Sequence, residues 1–103
     1  MLKMKRYRKK PIEVEAIQLQ DSSAYVLHKI YEFLGISGRG NFPETGYGID
    51  PVDGEFKITT VEGIPEGVEV VNIGDWIIKV DEGEFYPCRS DIFMLNYECI
   101  GEA

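Results

Sequence analysis

Two groups of carboxylates stand close enough along the chain to share a proton or a cation: Asp50, Asp53 and Glu55, and Asp81, Glu82 and Glu84. Paired carboxylates do general acid–base work when their environments push their pKa values apart. Both groups sit among turn residues, where acidic side chains serve local hydrogen bonding, so turn solvation is the reading taken for each. Asp50-Pro51-Val52-Asp53-Gly54 also lacks the regular alternation of a calcium loop. His28 is the single histidine, and it lies off the apolar stripe of its predicted helix with no second imidazole or cysteine nearby; it is read as solvent-facing. Cys88 and Cys99 are too few for a disulfide framework and are read as buried, reduced thiols. No nucleophile–base pair, metal cluster or cofactor motif is legible, and the expectation is a protein without enzymatic activity or cofactor.

Aromatic and cationic residues offer recognition chemistry instead. Trp76, Phe85, Tyr86, Phe93 and Tyr97 crowd into one short stretch together with Lys79 and Arg89. Most of these rings are expected in the core. Trp76, Lys79, Tyr86 and Arg89 are nevertheless the candidate binding residues, because an exposed ring beside a cation can stack a base or anchor a protein partner. Arg39, between Gly38 and Gly40, is a further candidate: backbone N–H groups of Gly38-Arg39-Gly40-Asn41-Phe42 could cradle an anion with Arg39 as counter-charge, although no P-loop or GxGxxG spacing follows.

Charge distribution separates two regions. Lys3, Lys5, Arg6, Arg8, Lys9 and Lys10 precede Pro11, whereas all 18 carboxylates follow it. Residues 1–10 therefore form a basic arm, and residues 11–103 a strongly acidic body that should repel nucleic acid. A length of 103 residues suits one domain. No apolar run approaches a bilayer span and no h-region follows the basic residues, so a cytoplasmic protein with no membrane partner is expected.

The elements that must position these residues read as follows. Residues 11–20 form a strand whose apolar face switches from Ile12, Val14 and Ala16 to Ile17 and Leu19, which implies a bulge or crossing. Asp21-Ser22-Ser23 offers N-cap oxygens, Val26, Leu27, Ile30, Phe33 and Leu34 recur at helical spacing, and Gly35 is a stop, predicting one helix over 22–34. Residues 35–54 read as a long loop. Strands are predicted over Glu55–Val61 and Val68–Ile73, and after a Gly74-Asp75 turn over Trp76–Val80, which pairs with Glu84–Cys88 through an Asp81-Glu82-Gly83 hairpin turn. Asp91 is expected to cap a single helical turn over 92–95, and Asn96–Ile100 to close the sheet. The fold class is α+β: one helix packed on a small, mostly antiparallel sheet of five or six strands, with curvature toward a barrel.

Lys5-Arg6-Tyr7-Arg8-Lys9-Lys10-Pro11 leading into Val14-Glu15-Ala16-Ile17-Gln18, followed by Gly74-Asp75-Trp76-Ile77-Ile78-Lys79, Gly83-Glu84-Phe85-Tyr86-Pro87-Cys88 and Asp91-Ile92-Phe93, resembles a family of small phage and prophage proteins. The resemblance covers both ends and leaves residues 21–70 unmatched. It departs from the family at Ile73 and Ser90, where prolines that stiffen turns are expected. The family has no assigned activity, so the resemblance implies an accessory phage protein without indicating its chemistry. Combined with the residue-level reading, it leads to a non-enzymatic protein that binds a host or phage macromolecule, most simply another protein. The alternatives are a small β-barrel binding a nucleotide or single-stranded nucleic acid with the arm tracking phosphates, and an enzyme using the loop and hairpin carboxylates. Homo-oligomerisation through a sheet edge is compatible with each.

Overall fold

The computed structural model of the chain describes residues 2–8, 10, 12–35, 42, 45–60, 67–81 and 84–102. In chain order these form β1 (Glu15–Gln18), α1 (Ala24–Leu34), β2 (Tyr47–Ile49), β3 (Phe56–Thr59), β4 (Val68–Val71), β5 (Trp76–Asp81), β6 (Glu84–Cys88) and α2 (Ser90–Asn96). The class is α+β with antiparallel pairing throughout the described ladders. The strands divide into two three-stranded sheets, ordered β1-β5-β6 and β2-β3-β4. This corrects the expected single sheet of five or six strands under one helix. Both sheets contribute to one core, a second helix follows β6, and no barrel closes among the described strands.

The reason lies in residues 35–54. Tyr47–Ile49 forms β2 inside the segment read as a loop, pairing Tyr47 with Ile58 and Ile49 with Phe56. Only three residues long and centred on Gly48, it has too little alternation to stand out. It completes a meander with β3 and β4, in which Phe56 and Ile58 alternate inward against Lys57 and Thr59. With that sheet satisfied by its own three strands, β1, β5 and β6 form the other, and β6 lies against β3 and β4 where the sheets meet.

α1 is specified by local chemistry at both ends. The Ser23 side chain accepts a hydrogen bond from Val26 N at 3.3 Å, and Gly35 ends the helix in the left-handed region at φ 76°. Its apolar stripe buries Ile30 and Leu34 and presses Val26, Leu27, Tyr31 and Phe33 against the same core. Leu19, Phe56, Ile58, Val71, Ile77 and Phe85 complete that core. Ring contacts tie the layers together. Tyr31 stacks on Phe56 with centroids 6.1 Å apart, and Phe85 meets Phe33 and Tyr47 edge-on, each at 5.7 Å.

β1 is shorter than the expected 11–20 strand. Beyond Gln18 the ladder bends: Leu19 N donates to Asp75 O and Gly74 N donates to Leu19 O, while the Asn72–Asp75 turn closes through Asp75 N to Asn72 O. Gly74 holds φ 97°, which explains the glycine there. The predicted pairing of β5 with β6 is present, with Trp76 opposite Cys88 and Ile78 opposite Tyr86. Asp81 pairs with Glu84 instead of belonging to the turn, and an irregularity between Lys79 and Asp81 leaves Val80 exposed; Glu82 and Gly83 lie outside the described residues. The Asn96–Ile100 strand is absent. α2 runs through Asn96, and Glu98–Ile100 makes no ladder. Among the described residues no helix is long and apolar enough to cross a membrane.

Candidate docking surface

α2 covers little of the protein that carries it. Its N-cap is Arg89, not Asp91, and no side chain supplies a capping hydrogen bond; Arg89 instead pairs in solvent with Asp91, Nη2 to Oδ2 at 2.7 Å. Asp91 lies in the first turn, where its charge suits the positive end of the helix. Asn96 Nδ2 donates to Ile92 O at 2.8 Å, and Tyr97 N to Phe93 O at 3.0 Å, in the last turn.

One side chain fastens the helix to the sheet. Phe93 stacks on Trp76 of β5, centroids 4.2 Å apart and planes 11° from parallel, and Tyr97 stacks on Phe93 at 4.9 Å. The Trp76 indole Nε1 is shielded from solvent and has no acceptor among the described residues. Everything else apolar on α2 faces solvent: Leu95 is 85% exposed, Met94 67% and Ile92 46%, with Ile100 exposed beyond them. The helix buries no residue at all. Apolar surface of α2 is thus left in solvent at Ile92, Met94 and Leu95.

The strand register sorts the predicted binding residues. Trp76, Ile78 and Tyr86 occupy the outer face of the β1-β5-β6 sheet; Ile77 and Phe85 occupy the core face, and Lys79, registered with Glu15 and Phe85, alternates to that side. Trp76 and Tyr86 therefore share a face from which Lys79 is absent. Tyr86 is 39% exposed. Trp76 gives one ring face to Phe93, so base stacking there has lost half its platform. Arg89 is exposed and engaged with Asp91. Arg39 and the Gly38–Asn41 cradle lie outside the described residues, and only Phe42 of that segment is placed, with Lys57 Nζ 5.7 Å from its ring centroid.

A second feature escaped the sequence reading altogether. Where β1 passes α1, a cleft of about 320 Å³ opens between Gln18, Gln20, Tyr25, Lys29 and Trp76. Gln18 Nε2 is committed to Gly74 O at 3.0 Å, and Lys29 is held between Glu32 at 3.8 Å and the Tyr25 ring at 5.8 Å. Its walls come from three elements distant in sequence, so no local pattern announces it.

The carboxylates resolve into a structural clasp. Lys57 Nζ donates to Asp50 Oδ2 at 2.8 Å and to Asp53 Oδ2 at 2.5 Å. Asp50 Oδ1 also accepts from Val52 N and Asp53 Oδ1 from Glu55 N, closing the β2–β3 connection. The Lys57 ammonium, followed by these backbone donors, holds both carboxyls below the ordinary aspartate range, while the two carboxylates push the Lys57 ammonium up. All three stay charged at neutral pH, so neither aspartate serves as a proton donor there. Of the second group, Glu84 is exposed, and Glu82 lies outside the described residues. His28 is exposed and sits 2.9 Å from Glu32. The cysteines correct the expectation of two buried thiols. Cys88 is half-buried, with its pKa raised by desolvation and then by Asp75 and Asp91, whereas Cys99 is exposed, because the segment carrying it forms no strand. No group of three or more histidine, cysteine, aspartate or glutamate side chains suited to a metal is present among the described residues.

Compared with protein families, curated proteins and solved structures, the chain has no match.

Proposed function

We propose that the chain is a non-enzymatic accessory protein, of the phage type its terminal motifs resemble, that acts by binding another protein through α2. One observation carries this reading: a helix rich in apolar residues that buries none of them and is held by a single aromatic stack. Leaving Ile92, Met94 and Leu95 in water forgoes the stabilisation of burial, about 1.5–3 kcal/mol for each such side chain when fully covered. A partner that covers the patch recovers it. The rim is acidic, with Asp91, Glu98 and Glu102 against Arg89 alone between residues 89 and 102, which favours a basic partner surface.

The reading is tested with Leu95→Arg. Arginine keeps helix propensity and the position is exposed, so the fold persists while the apolar contact is replaced by a charge. Affinity capture from host lysate, followed by reconstitution with the purified captured protein, should yield a complex with the unaltered chain and none with the variant. Equal complex formation by both removes α2 from the account.

A further inference from the structure

The molecule carries a second unpartnered segment whose chemistry complements α2, and we infer that the basic arm of one copy lies across α2 of a second copy, giving an arm-exchanged dimer. The inference rests on the reading of α2 as a protein-docking surface and names its occupant. The arm presents Leu2, Met4 and Tyr7 to solvent, interspersed with Lys3, Lys5, Arg6, Arg8 and Lys10. The α2 region presents Ile92, Met94 and Leu95 beside Asp91, Glu98 and Glu102. Each is apolar and charged at once, with opposite signs. Residues 2–10, extended, reach about 30 Å. Seven residues of helix are only about 10 Å long, so the arm can cross α2 and continue over Tyr97–Ile100.

Strand direction points the contact outward to another copy. β1 enters the sheet at Glu15, opposite Lys79, and runs toward Gln18, opposite Trp76. Trp76 is the residue on which α2 rests. The arm therefore leaves the sheet at the end remote from α2 of its own chain, and its described residues stand clear of the body. A radius of gyration of 15.9 Å and a long dimension of 55 Å fit that projection, against about 13 Å expected for a compact chain of this size. Around a two-fold axis, each arm meets the other copy's helix and both contacts form together.

Sedimentation equilibrium and mixing test the exchange. The unaltered chain should sediment at twice its chain mass, with the dimer weakening as salt is raised. Deletion of residues 2–10 and Leu95→Arg should each give the chain mass, with unchanged far-ultraviolet circular dichroism. Mixing these two variants is decisive: one retains the helix face and the other retains the arm, so an equimolar mixture should recover a species of twice the chain mass through one of the two contacts. A mixture that stays at the chain mass, a dimer that survives arm deletion, or an unaltered chain that is monomeric overturns the exchange. A monomeric chain whose captured partner still depends on Leu95 overturns the exchange alone and leaves the docking reading standing; loss of Leu95 dependence in both assays defeats both.

Discussion

α1 and α2 are both rich in apolar residues, yet one supplies the core and the other shows its apolar side chains to water. α1 spreads its apolar residues at helical spacing over eleven residues, so Ile30 and Leu34 share a stripe that two sheets can cover. α2 packs Ile92, Phe93, Met94 and Leu95 consecutively into seven residues, which points them around the helix, and Phe93 stacks on Trp76 of the sheet. Capping separates them too: Ser23 and Gly35 hold the ends of α1 with a side-chain acceptor and a left-handed glycine, whereas α2 begins without a side-chain cap and ends at extended Tyr97. The first helix is built to fold against its own chain. Isolated, α2 is far below the length at which a helix holds in water, and its exposed apolar residues add little to the core.

The contrast breaks most sharply at Ile30 against Leu95. Ile30→Ala should cost about 2–5 kcal/mol in denaturant unfolding, while Leu95→Arg should stay within about 0.5 kcal/mol and lose the complex. A large unfolding effect at Leu95 would place α2 in the core after all. Next comes the single fastening of α2. Phe93→Ala removes a stack worth about 0.5–1.5 kcal/mol beyond its buried area, and since Trp76 is the only tryptophan, its emission should shift to the red while the global transition stays cooperative. An unshifted spectrum would mean the indole is shielded by something other than Phe93.

Capping provides a smaller test. Ser23→Ala should lower stability by about 1 kcal/mol, and Arg89→Ala should change it by less than about 0.5 kcal/mol because Arg89 supplies no side-chain cap; equal thermal shifts would erase the distinction. The smallest signal belongs to the Asp50–Asp53–Lys57 clasp, on the folded-body side of the comparison. Both carboxyls are held below their unfolded value of about 3.9, so their contribution is complete above it and fades as pH falls through the folded values. Lys57 has the opposite sense: its contribution is complete below about pH 10.4 and fades as pH rises through its raised folded value. Melting temperatures between pH 6 and pH 2 should fall less steeply for Lys57→Met than for the unaltered chain. Parallel curves would show that backbone donors alone hold the two aspartates.

Several elements were legible because their signals are local. Ser23, the stripe ending at Leu34 and Gly35 outline α1 within two residues of its start. The alternation in Phe56–Ile58 and the pairing of Trp76–Val80 with Glu84–Cys88 depend only on short-range pattern and a hairpin. Tyr47–Ile49 was not legible, since three residues around a glycine become a strand only when β3 lies beside them. The stretch after Asn96 misled for the converse reason. Its residues suit a strand, but α2 runs through Asn96 and the residues beyond it pair with no strand. Of the candidate site, Trp76, Tyr86 and Arg89 were singled out for their chemistry, while Phe93, which decides what Trp76 can do, counted only as one more ring.

The sequence by itself determined the charge division between arm and body, the ends of α1, the β5–β6 hairpin and the concentration of aromatic residues near residue 90, because each depends on neighbours within a few residues. Only the tertiary structure decided that the strands split into two sheets, that Phe93 takes one face of Trp76, and that Ile92, Met94 and Leu95 are left in water. Those outcomes are set by which surfaces remain after the core is filled. Burial is a competition among all apolar residues for a limited interior, and the order of a sequence does not record which of them lose.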